Sequence, residues 1–155
     1  MPAISFLIQK GSDVNEMSET GFTSLIVAAA GGHMEAVNLL LDKGAKVDVM
    51  HPEGVNALMY AAAYAHEDVV RTLISRGADV NALHVNGGSA LIEAATAGDV
   101  GVVKALIENG ADVAVQDKDG VTTLIAAASK GHANVSTVLL EHSADVNAVA
   151  ASGGT

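Results

Sequence analysis

Gly77-Ala78-Asp79-Val80-Asn81 is one of five segments with a common pattern: a small residue, then Ala or Ser, an acid or Lys, and Val. The others are Gly11-Ser12-Asp13-Val14-Asn15, Gly44-Ala45-Lys46-Val47-Asp48, Gly110-Ala111-Asp112-Val113-Ala114 and Ser143-Ala144-Asp145-Val146-Asn147, at a constant spacing of 33 residues. A second marker keeps the same period at Gly21, Gly54, Gly87, Gly120 and Gly153. Two markers locked in phase, with no insertion or deletion between them, identify a chain of stacked structural units.

Between the markers each unit carries the signals of two helices. Thr23-Ser24-Leu25-Ile26, Asn56-Ala57-Leu58-Met59, Ser89-Ala90-Leu91-Ile92 and Thr122-Thr123-Leu124-Ile125 each place an N-cap residue type before an apolar, alanine-rich run. Such a run, for example Leu58-Met59-Tyr60-Ala61-Ala62-Ala63, predicts a short helix whose small side chains admit a close neighbour. A glycine then ends it with a left-handed turn. The second helix, as in Val69-Val70-Arg71-Thr72-Leu73-Ile74, has apolar residues three and four apart and so one buried stripe. A single unit cannot bury its apolar face, whereas a stack forms a continuous core. Ala65 and Ser143 stand where other units have glycine; a positive φ there costs roughly 1 kcal/mol each.

On these residues the chain resembles the ankyrin-repeat family, whose 33-residue unit is a β-turn plus two helices. The family's T-P-L-H-x-A signature is modified: its Pro becomes Ser24, Ala57, Ala90 or Thr123, and its His becomes Ile26, Met59, Ile92 or Ile125. The Gly-His pair after the first helix survives as Gly32-His33 and Gly131-His132 and is altered to Ala65-His66 and Gly98-Asp99. The resemblance implies an all-α ankyrin-repeat solenoid of helix-turn-helix units joined by β-hairpin loops. In that register residues 1–17 are a partial repeat, 18–50, 51–83, 84–116 and 117–149 are full repeats, and 150–155 begin another, all within one repeat domain. Ile4, Phe6, Leu7 and Ile8 then form an apolar face lacking its sister helix. This suggests a segment of a longer array or an engineered chain, with ends open to end-to-end association.

Composition narrows the function. Half of the 155 residues are hydrophobic but only 3% aromatic, which disfavours a β-sandwich built from aromatic and β-branched strands and excludes intrinsic disorder. The longest apolar run, Ala57 to Ala65, is too short for a membrane span, and Met1-Pro2-Ala3-Ile4 lacks a signal peptide's basic region. With no cysteine, disulfides and thiolate-bound metals are excluded, and the setting fits the cytoplasm or nucleus. A net charge of −10 repels phosphate backbones and acidic membranes, so neither nucleic acid nor membrane is expected as a ligand. A basic protein segment would be attracted.

Catalysis and cofactors find little support. His33, His66 and His132 follow the first helix, where the resemblance implies hydrogen bonding to loop backbone. His51 and His84 open two units at the position that Asp117 takes in the next. Stacked units lie about 10 Å apart, a helix diameter, too far for two imidazoles to share a zinc ion. Hydroxyls at N-caps and carboxylates in loops spread along the array instead of converging as a triad must. Glu67 and Asp68 begin a helix, where acids favour its dipole, and no glycine pattern makes a phosphate cradle. No enzyme, metal or cofactor is expected.

The expected function is a protein-interaction scaffold that binds a partner polypeptide on a concave face of hairpin tips and first helices. Apolar residues recur there: Phe22, Val55, Val85 and Val121 at the tips, Met50 and Leu83 at hairpin exits, and Tyr60 and Tyr64 on one helix face. Exposed apolar patches mark interaction sites and aromatic anchors dominate interface energy, although the valines also suit packing of hairpin against hairpin. Glu19, Glu53, Glu93 and Asp119 would set a negative rim, matching a partner with apolar anchors flanked by Lys or Arg. Other readings are an adaptor fragment of a larger enzyme, channel or ubiquitin ligase, an engineered repeat protein, and a substrate for hydroxylation at Asn15, Asn81 or Asn147, which the resemblance suggests.

Overall fold

In a computed structural model, the structure describes residues 13–151; the apolar stretch at Ile4–Ile8 and the marker Gly153 lie outside them. The described residues form eight helices in four pairs: α1 (Ser24–Ala30) with α2 (Met34–Asp42), α3 (Ala57–Ala63) with α4 (Glu67–Ser75), α5 (Ala90–Ala97) with α6 (Val100–Glu108), and α7 (Thr123–Ser129) with α8 (Ala133–Glu141). Within each pair the helices pack together. First helices stack α1 to α3 to α5 to α7, and second helices stack α2 to α4 to α6 to α8. The result is the all-α solenoid that the 33-residue period predicts.

Local sequence explains each element. First helices are capped as anticipated, with the Ile26, Met59, Ile92 and Ile125 N–H groups donating to Thr23 Oγ1, Asn56 Oδ1, Ser89 Oγ and Thr122 Oγ1 at 3.3, 3.0, 3.4 and 3.2 Å. Their alanines Ala29, Ala61, Ala62, Ala94, Ala95 and Ala127 are wholly buried, so helices meet nearly backbone to backbone. Second helices supply the bulk. Leu40, Leu73, Leu106 and Leu139 form one buried column, each contributing about 1.5–3 kcal/mol of apolar burial. Ala65 and Ser143 adopt φ of 58° and 67°, the left-handed backbone that their glycine counterparts occupy.

The hairpin tips are tighter than extended hairpins. Each is closed by two bonds, as in Ser18 N–H to Phe22 O (2.9 Å) with Gly21 N–H to Ser18 O (2.8 Å), and His84 N–H to Gly88 O (3.0 Å) with Gly87 N–H to His84 O (2.8 Å). The loops carry only single antiparallel bridges, Met17 with Thr23, Leu83 with Ser89 and Gln116 with Thr122. The chain passes directly from the bridge into the helix N-cap, so no strand develops among the described residues.

Three sets of loop bonds tie repeat to repeat, beside side-chain links between second helices such as Arg76 to Asp42. At the tips, the N–H groups of Val85, Lys118 and Ala151 donate to the carbonyls of Glu53, Asn86 and Asp119 at 3.0, 2.8 and 2.7 Å. Pro52 occupies the corresponding place in the first junction and has no N–H; His51 Nε2 bonds Thr20 O instead, at 2.9 Å. After the first helices, His66 and His132 Nε2 reach Ala30 O and Thr96 O, both at 3.0 Å. Asp99, in the same register, instead caps α6 by accepting from Val102 N–H (2.8 Å). Before the tips, Asn81 accepts from Asp112 N–H (2.8 Å) and donates to Gly110 O (3.0 Å), as Asn15 does with Lys46 and Gly44. Asp48 can only accept, from Asp79 N–H at 3.1 Å, and Ala114 offers neither group.

Candidate functional site

Five rings gather across the first junction. The Phe22 ring, carried on a tip, lies 4.6 Å from the His51 ring and 5.9 Å from Tyr60 between centroids. Tyr60 and Tyr64 are one turn apart on α3 and its C-cap, so they share a face; their rings are 6.4 Å apart and within 10° of parallel. Tyr64 is also 6.4 Å from the His66 ring. Exposure is graded along the series: Phe22 and Tyr60 are half-buried against the core, whereas Tyr64 is 59% exposed. Burial pushes the Tyr60 phenol above its ordinary pKa, and the neighbouring Tyr64, Glu53 and Glu93 push it further in the same direction.

The other expected positions divide into two groups. Met50, Leu83 and Val85 are exposed at 38%, 49% and 50%, although each is apolar. Val55 and Val121 are half-buried and pack on the core, so much of their surface serves the hairpin. Glu19, Glu53 and Asp119 are exposed. Glu93 does not share the open rim with them. It sits on α5 in register with Tyr60, is partly buried, and its carboxyl is pushed above the ordinary range by desolvation, an effect opposed by His84, whose Nε2 lies 3.7 Å from Oε1.

Sequence reasoning missed two exposed apolar side chains near the first full repeat, and Leu140 and Val146 in the last. Met17 (44%) stands 33 residues before Met50 and extends the column of Met50 and Leu83. Val27 (58%) precedes Tyr60 by the same interval. Register arithmetic alone would have found both, but an apolar residue on a first helix reads as core when the helix's rotation is unknown.

Five of the six histidines bond backbone groups; His33, expected to do the same as His66 and His132, shows no side-chain hydrogen bond among the described residues. His51 and His84 accept at Nδ1 from the N–H groups of Glu53 (3.2 Å) and Asn86 (3.1 Å), as Asp117 Oδ1 accepts from Asp119 N–H (2.9 Å). Imidazole and carboxylate therefore do the same work in the tip turn, and each ring carries its proton on Nε2. Among the described residues no group of three or more His, Cys, Asp or Glu could hold a metal ion, and no helix is long and apolar enough to cross a membrane.

No curated protein matches this chain. A family model described as ankyrin repeats (3 copies) matches residues 1–84 and again residues 81–150. Ankyrin repeats are in general protein–protein interaction modules and typically non-catalytic. The 33-residue period, the capped helix pairs and this match over nearly the whole length agree: the chain belongs to the ankyrin-repeat family.

Proposed function

We propose that the chain is a non-catalytic scaffold that holds a partner polypeptide across its hairpin tips and first helices, mainly over its first two full repeats. The observation that carries this reading is the apolar surface around Tyr64. A large aromatic ring left 59% exposed, continuous with Tyr60 and Phe22 and neighboured in register by Met50, Leu83 and Val85, serves no core. Contiguous apolar surface of this kind is the usual mark of an interaction site. Phe22, Val55 and Val121 are half-buried and fix their tips to the core. Glu19 and Glu53 give this end of the surface negative charge, while Lys118 and Lys130 relieve it in the fourth repeat. A partner with apolar anchors and a basic flank suits that distribution. Stacked repeats hold the surface rigid, so little order is lost on binding.

The test compares capture from lysate by wild type, Tyr64→Ala and Glu141→Ala. A protein retained by wild type and Glu141→Ala but lost with Tyr64→Ala supports the reading. Equal retention by both variants refutes the placement.

A further inference from the structure

The aromatic surface and the carboxylates beside it make a more specific receptor than an apolar patch. Tyr60 and Tyr64 present near-parallel faces. Glu93 occupies the position of Tyr60 in the next repeat, on α5, which packs on α3. Glu53 is on the tip that leads into α3. Register and the packing of α5 on α3 thus bring Glu93 to the side of the array that carries the rings, with Glu53 on the tip before them, and both acids add to the upward shift of the Tyr60 phenol that burial begins. Arg71 and Arg76, two of the chain's own cations, are engaged on the second helices, with Glu67 at 2.8 Å and Asp42 at 2.7 Å. Among the described residues, Glu93 faces His84 Nε2 at 3.7 Å and pairs with no Lys or Arg.

We propose that Tyr60, Tyr64, Glu53 and Glu93 form a subsite for one arginine guanidinium of the bound polypeptide. The proposal rests on the scaffold reading above and names its partner chemistry. A guanidinium is flat and stacks on an aromatic face, and its in-plane N–H groups pair with carboxylates at the edge. A lysine ammonium would satisfy the charge but not the faces. Glu93 is the strongest local element, because its carboxylate is partly desolvated already and attracts a cation more than a fully hydrated rim acid would.

The test exploits composition. The chain has two tyrosines and no tryptophan, and both tyrosines are in the subsite, so tyrosine emission and ring proton shifts report on it alone. Titrate the whole chain with N-acetyl-arginine methylamide and with its citrulline counterpart, which has nearly the same shape but no charge. The arginine probe is expected to perturb both tyrosines saturably and the citrulline probe not to. Tyr64→Ala should weaken the arginine probe about 2- to 5-fold, the range for an exposed cation–π contact, and Glu93→Gln by about the same factor through the lost charge pair, with Glu141→Ala unchanged. Indistinguishable arginine and citrulline titrations, or full affinity in Glu93→Gln, would overturn the subsite. Those outcomes, alongside a lysate partner that still depends on Tyr64, would sink the guanidinium subsite alone. Arginine binding with no Tyr64-dependent partner would keep the subsite and remove the scaffold's support.

Discussion

His51 and His84 occupy the same register in adjacent repeats and do different work. Both accept a tip N–H at Nδ1, so the turn itself does not distinguish them. The difference lies one residue on. Val85 supplies a backbone N–H to the previous tip, at Glu53 O; Pro52 cannot, and the His51 ring makes the bond to Thr20 O in its place. His84 is thereby released, and its Nε2 faces Glu93 instead. The first junction spends an imidazole on holding repeats together and gains a fixed support for Phe22. The second turns the same side chain toward the candidate binding surface.

The largest effect should come from breaking that asymmetry. His51→Ala removes the bond to Thr20 O and the Phe22 contact, and should cost about 1–2 kcal/mol in urea unfolding. His84→Ala should cost about 0.5 kcal/mol, because the repeat ladder beside it is made by backbone. Pro52→Val restores the missing donor, so in that background the His51→Ala penalty should shrink toward that of His84→Ala. Equal costs for the two single variants would show that the proline does not set the difference.

A second comparison involves the amide bridges. Asn81→Ala deletes two inter-repeat hydrogen bonds and should lower stability by about 1–2 kcal/mol. Ala114→Asn places an amide where Ser143 O and Asp145 N–H stand in the partner positions, and should raise stability by about 0.5–1 kcal/mol. Urea midpoints at constant m-value decide both. The middle junction has the Asn81 bridge but lacks the imidazole bridge, since Asp99 caps its own helix; the last junction has His132 and lacks the amide. Each junction retains at least one of the two.

Most of the fold was legible in the sequence because it depends on local residues. The N-caps, the buried leucine column and the left-handed backbone at Ala65 and Ser143 follow from residue type and a fixed period. The surface was harder to read. Phe22, Val55 and Val121 share one register position and pack on the core, while Val85 stands three residues earlier, in register with Glu19, Pro52 and Lys118, and is half exposed; the period separates the two positions, but residue type alone, which makes all four apolar tip residues, does not. Glu93 reads as another rim acid, although α5 carries it into partial burial. The exchange of tasks between His51 and His84 is legible only once Pro52 is aligned with Val85 and a ladder of tip N–H groups is known.

Smaller effects test local strain. Ala65→Gly and Ser143→Gly relieve a Cβ in left-handed backbone, and each should raise stability by about 0.5–1 kcal/mol, partly offset by the greater entropy of the unfolded glycine. A thermal melt measures this; no change at Ala65 would mean that its turn has relaxed around the methyl group.

The last effect separates stability from binding at the released histidine's partner. The Glu93 carboxyl has a raised pKa in the folded chain, first through desolvation and against the pull of His84. A raised folded value means that the folded state holds the proton more tightly than the unfolded state. The stabilisation is therefore present below the unfolded value of about 4.3 and lost as pH rises through the folded value. At neutral pH the ionised carboxylate opposes folding, so Glu93→Gln should melt above wild type at pH 7. That advantage should disappear below about pH 4, where both states carry the protonated acid. A gap that persisted at low pH would mean that the amide gains packing or hydrogen bonds unrelated to charge. A gap that closed as expected, with weaker arginine binding in the same variant, would show that the fold keeps a destabilising charge because a cation is meant to meet it.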